Sequence, residues 1–178
     1  MVDLVTEDEV YIQKAAEFTQ PPGPAGFATI AIQFQQVSAD AVSQIIIADE
    51  IITNSTGVDW TDFHWELLNG PDAVFDSAAT LAAGFYTSPL DNKTFGSGDT
   101  SLMVDGFGLG PGGSDAVVAA GAVWFPGDGA TNGELFIDVV PSAQEPYTVF
   151  TLKETPTPEP ATLGLLLIGG LALLRRRH

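Results

Sequence analysis

The residues best able to do chemistry gather around His64, which stands between Asp62 and Glu66 and follows Asp59 by five places. An imidazole among carboxylates can bind a metal or move a proton. In the run from Trp60 to Leu67, Phe63, Trp65 and Leu67 alternate with Asp62, His64 and Glu66, so His64 falls on the polar face of a strand. The only other histidine is His178 and there is no cysteine, so a zinc site lacks ligands. A surface histidine is the expectation.

Two tryptophans lie in the same run. Trp65 falls on the apolar face and reads as core. Trp60 is the candidate glycan contact, because a flat ring can stack on the apolar face of a sugar; a place in the core is the alternative. Short Asp/Gly loops supply another chemistry. Gly96-Ser97-Gly98-Asp99, Asp105-Gly106, Gly113-Ser114-Asp115 and Gly127-Asp128-Gly129 combine carboxylates with exposed carbonyls, as calcium prefers. Asp99, Asp105, Asp115 and Asp128 are the candidate calcium ligands, with plain turn chemistry as the alternative. Gly108-Leu109-Gly110-Pro111-Gly112-Gly113 spells a dinucleotide-binding fingerprint, but the segment after it is alanine-rich, β-branched and broken by glycine, where that site needs a helix. It reads as a loop. No serine elbow, P-loop or spaced carboxylate pair stands out, so the chain reads as a non-enzyme with no cofactor other than the calcium just considered.

These residues need a scaffold, and the pattern supplies one. Period-two alternation bounded by Gly, Pro, Asn and Asp recurs along the chain. Strands are expected at 28–35, 45–53, 62–67, 85–86, 101–105, 116–125, 135–140 and 147–152, as in an all-β chain forming a single β-sandwich of jelly-roll type. The segment Thr6–Thr19 reads as a short helix, with Val10, Ala15 and Phe18 on one side, or as the remnant of a leader. Residues 1–20 are thus an unassigned N-terminal segment, 21–154 the sandwich domain, 155–160 a Pro-rich spacer and 161–178 a C-terminal hydrophobic helix with its arginines.

Charge narrows the partners. The chain carries 23 acidic residues against 6 lysines and arginines, a formal net charge of −17. Arg175, Arg176 and Arg177 account for half of the basic residues, and no stretch of the body offers a basic face to a phosphate backbone, so no nucleic-acid partner is expected. Hydrophobic residues make up 45% and charged residues 16%, which is enough grease for a folded core.

The tail has its own logic. Thr155-Pro156-Thr157-Pro158-Glu159-Pro160 reads as a stiff extended spacer. The uncharged run Ala161–Leu174 follows, and then the three arginines. As a helix the run is about 21 Å long, against a hydrocarbon core of about 30 Å. Its leucines and isoleucine supply only about −4 kcal/mol of insertion energy. This is a weak, temporary anchor in the inner membrane. The arginines place the C-terminus in the cytoplasm and the body on the far side.

Spacer, apolar run and arginine cluster together resemble the PEP-CTERM protein-sorting signal, with Pro158, Glu159 and Pro160 as its recognition residues. The resemblance implies Sec export, cleavage near Pro-Glu-Pro by the membrane protease exosortase, and release or attachment at the cell surface in bacteria that make extracellular polysaccharide. The stretch Gly57–Leu67 is similar to one in other β-rich proteins with this tail. Against export, Met1–Glu9 is acidic and lacks a basic start and an apolar stretch, so the chain reads as truncated or started downstream of its leader. The leading expectation is a structural or adhesive surface protein. A carbohydrate-binding module of the polysaccharide matrix is the alternative, and a hydrolase with an acidic pair is a third.

Overall fold

The computed structural model describes residues 1–21, 28–68, 72–127 and 134–158. In chain order they form β1 (Val2–Val5), β2 (Glu9–Phe18), β3 (Ile30–Gln35), β4 (Gln44–Asn54), β5 (Trp60–Leu68), β6 (Ala73–Phe75), the short helix α1 (Ser77–Ala82), β7 (Asn92–Phe95), β8 (Ser101–Asp105), β9 (Val123–Trp124), β10 (Leu135–Val139) and β11 (Val149–Pro158). The strands build two sheets. One has the order β1-β2-β4-β10-β6, with β9 also pairing β4; the other runs β3-β11-β5-β8-β7. The all-β sandwich implied by the alternation is the fold.

Every pairing is antiparallel except β2 with β4. Between those two the chain crosses to the opposite sheet as β3, so β4 returns beside β2 in the same direction. The parallel pair sets this sandwich apart from a purely antiparallel jelly roll.

The N-terminal segment corrects the helical reading. Val10, Ile12, Ala16 and Phe18 share one face at period two and pack on the core, which a helix could not arrange. The first residues are therefore part of the larger sheet. The spacer is corrected as well: β11 does not stop at Glu154 but pairs with β5 through Pro158. β3 pairs only as far as Glu154, so Thr155–Pro158 is laddered on one side among the described residues. A one-sided ladder tolerates the missing N–H of Pro156 and Pro158.

Two expected strands dissolve. Phe85 and Tyr86 lie in a loop, and of 116–125 only β9 and a bridge from Val118 to Trp60 join a sheet. Side chains hold this segment instead. Asn54 Nδ2 donates to the carbonyls of Val118 and Ala119, Asp59 accepts from Ala120 N, and Gly121 turns the chain at φ 80°. Unforeseen from the pattern were β1, β6, β7 and α1, whose N-cap Asp76 accepts from Ala79 N at 2.8 Å.

Between the sheets lies an aromatic hub centred on Phe63. Its ring centroid is 4.7 Å from Trp65, 5.2 Å from Trp124, 5.8 Å from Phe18 and 6.0 Å from Trp60. Each such pair adds about 0.5–1.5 kcal/mol to the burial of its rings. Both faces of the sandwich converge here.

Candidate functional site

β11 carries two kinds of information. Its inward stripe, Phe150, Leu152, Glu154 and Pro156, is buried, and Pro156 pairs with Phe63 at the aromatic hub. At the other end Pro158 pairs with Trp60 across a register shift and is the last described residue. Of the three recognition residues only Pro158 is placed. Glu159, Pro160, the run 161–174 with its expected C-terminal helix, and Arg175, Arg176 and Arg177 lie outside the described residues. Among the described residues no helix is long and apolar enough to cross a membrane.

The other sequence candidates separate. Trp60 is fully buried, its Nε1 donating to Thr56 Oγ1 at 3.2 Å, so no face of the ring is open to a sugar. The glycan contact is corrected to a core residue. His64 points to the polar side as expected, with Nε2 3.3 Å from Asp62 Oδ1. Asp105 Oδ1 accepts from Asn92 Nδ2 and Phe107 N, both at 2.9 Å, and Asp115 Oδ1 accepts from Gly108 N at 3.0 Å. Asp99 sits in a turn at φ 50°. Asp128 lies outside the described residues. Asp99, Asp105 and Asp115 are not brought together: no three His, Cys, Asp or Glu side chains form a metal-holding group among the described residues. Gly108–Gly113 ends in a single 3₁₀ turn, Pro111–Gly113, and Ser114 is extended, so no helix N-terminus faces a phosphate there.

A cluster absent from the sequence reading lies in the interior. Lys14 on β2 and Glu50 on β4 are register partners of the parallel pair, and Glu154 reaches them from β11 in the opposite sheet. Lys14 Nζ is in direct contact with Glu50 Oε1 and Glu154 Oε1. Glu50 is 1% exposed and Glu154 0%. Trp65 Nε1 donates to Glu50 Oε2 at 3.2 Å. Glu154 Oε2 is buried without a hydrogen-bond partner among the described residues. Burial pushes the Lys14 ammonium below the ordinary lysine value, while the charge of Glu154 and its hydrogen bond work in the other direction. A cleft of about 440 Å³ lies along this stretch of β2 and β4, lined in part by Gln13, Lys14, Ala15, Asp49, Glu50 and Ile51.

A signal for this cluster was present in the sequence. Each strand interrupts an apolar inward stripe with a single charge: Lys14 between Ile12 and Ala16, Glu50 between Ile47 and Ile52, and Glu154 between Leu152 and Pro156. Charged residues on such stripes are rare unless paired.

The chain is thus a two-sheet sandwich whose last central strand feeds a C-terminal sorting signal. That signal is of a defined kind: residues 156–177 match the PEP-CTERM protein-sorting motif. The motif marks the protein for export and exosortase-type sorting to the cell envelope or surface. The match starts within β11, so the first residues of the motif are also structural residues of the sandwich. No curated protein and no solved structure matches the chain.

Proposed function

We infer that the protein is an exported surface or extracellular-matrix protein with a non-catalytic structural or adhesive body. In this reading the precursor pauses in the inner membrane through 161–174 with Arg175, Arg176 and Arg177 in the cytoplasm, and exosortase cleaves near Pro158-Glu159-Pro160. The observation that carries the reading is the sorting motif at 156–177. The compact sandwich supports a body that works by folding and presenting a surface, because its largest aromatic side chains go to the core. The carbohydrate-binding alternative loses its motivating residue with the burial of Trp60.

The test is expression behind an export leader in a host with exosortase, followed by intact-mass measurement of the envelope and secreted fractions. The expected product ends near Pro160 and requires the enzyme. An intact C-terminus in that host would overturn the sorting assignment, and Glu159→Ala is expected to leave the precursor uncut.

A further inference from the structure

Three buried ionisable groups in contact, with two carboxylates for one ammonium, form an expensive arrangement in an apolar core. Their geometry offers a way to discharge it. We propose that Lys14 and Glu50 condense to an intramolecular amide between Nζ and Cδ, a covalent cross-link tying β2 to β4, with Glu154 carrying the protons.

The atoms are already sorted for this step. Glu50 Oε2 is held by Trp65 Nε1–H, a donor that steadies the oxygen as negative charge develops on it and then remains on the amide carbonyl. Glu50 Oε1 lies against Nζ, where the ammonium can hand its proton to the oxygen that must leave. Glu154 Oε1 accepts from Nζ, the position of a base, and its Oε2 has no partner among the described residues. The register pairing of Lys14 with Glu50 puts amine and carboxyl side by side on adjacent strands. Glu154 approaches from the facing sheet.

The balance closes without a co-reactant. One proton passes from the Lys14 ammonium to Oε1 of the Glu50 carboxylate, which lies against it, leaving a neutral amine and a carboxylic acid. The amine lone pair attacks Cδ and forms the C–N bond. Glu154 takes a second proton from nitrogen and returns it to Oε1, whose bond to Cδ breaks with departure of water. The third proton stays on the amide nitrogen and points to Glu154. Burial favours the neutral amine that must attack. Fixed proximity supplies the effective concentration that free amine and acid lack in water. The product replaces an ammonium and a carboxylate by one neutral group.

The decisive measurement is the mass of the folded full chain. It is expected to be lighter than its sequence by one water, and proteolysis is expected to yield a branched peptide joining the segments that carry Lys14 and Glu50. Lys14→Arg and Glu50→Ala should restore the full mass. Glu154→Gln, shown to be folded by tryptophan fluorescence, should retain the water. A folded wild-type chain at full sequence mass, or a water deficit mapped away from these two residues, overturns the cross-link; this holds even if every variant fails to fold. A Glu154→Gln chain that still forms the branched peptide overturns the role given to Glu154.

Discussion

The aromatic hub and the charged cluster sit between the same two sheets and share one residue, Trp65, whose ring packs on Phe63 while its Nε1 bonds Glu50. They hold the sandwich by different rules. In the hub each ring contributes through area and non-directional contact, so the loss of one contact is partial and the neighbours adjust. In the cluster each group is tolerable only because of the others, and removal of one leaves the rest buried and uncompensated. Graded cohesion and conditional cohesion lie within one core.

Substitutions can break that contrast or sharpen it. Lys14→Met should have the largest effect, about 3–5 kcal/mol of lost stability, because it leaves Glu50 and Glu154 as two buried carboxylates with no Lys14 nitrogen to pair with or condense on. Urea unfolding followed by tryptophan fluorescence measures this, and a loss under about 1 kcal/mol would erase the distinction between the regions. Adding Glu50→Leu and Glu154→Leu to Lys14→Met should regain about 1–4 kcal/mol, since an apolar cluster owes nothing to partners. A triple variant weaker than the single one would mean that the cluster costs the fold little. In the hub, Phe63→Leu should cost about 2 kcal/mol, keeping apolar volume while losing four aromatic pairs at about 0.5 kcal/mol each. A loss as large as that of Lys14→Met in the same titration would show that the hub, too, is all-or-none.

The same contrast explains what could be read from the sequence. The antiparallel sheet was legible where one face is wet: Ile30, Ile32 and Phe34 against Thr29, Gln33 and Gln35 announce β3, and Phe63, Trp65 and Leu67 against Asp62, His64 and Glu66 announce β5. β8 falls at the expected 101–105 for the same reason. β2 was missed because Lys14 breaks its stripe midway, so the run Val10, Ile12, Ala16, Phe18 lost its period and a helical spacing looked as good. The short β6 and β7 carry too few residues for any period to show. Segment 116–125 misled in the other direction: its apolar residues are fixed by Asn54 and Asp59 through side-chain hydrogen bonds to backbone, a long-range arrangement that local pattern does not encode. The sorting motif was readable because its order of spacer, apolar run and arginines is itself the signal. Of the charged cluster the sequence shows only three single charges on apolar stripes; that they meet follows only after β2, β4 and β11 have paired.

The extension of β11 to Pro158 sets a clearance. Pro160 is two residues beyond Pro158, the last described residue and one laddered to β5, and two residues of fully extended chain reach at most about 7 Å. A protease cutting there has no slack to draw on, so it must meet the flank of the finished sandwich, peel the last rungs of β11 from β5, or act before that ladder closes. The length of a strand thereby sets what any enzyme that cuts at this point has to work around.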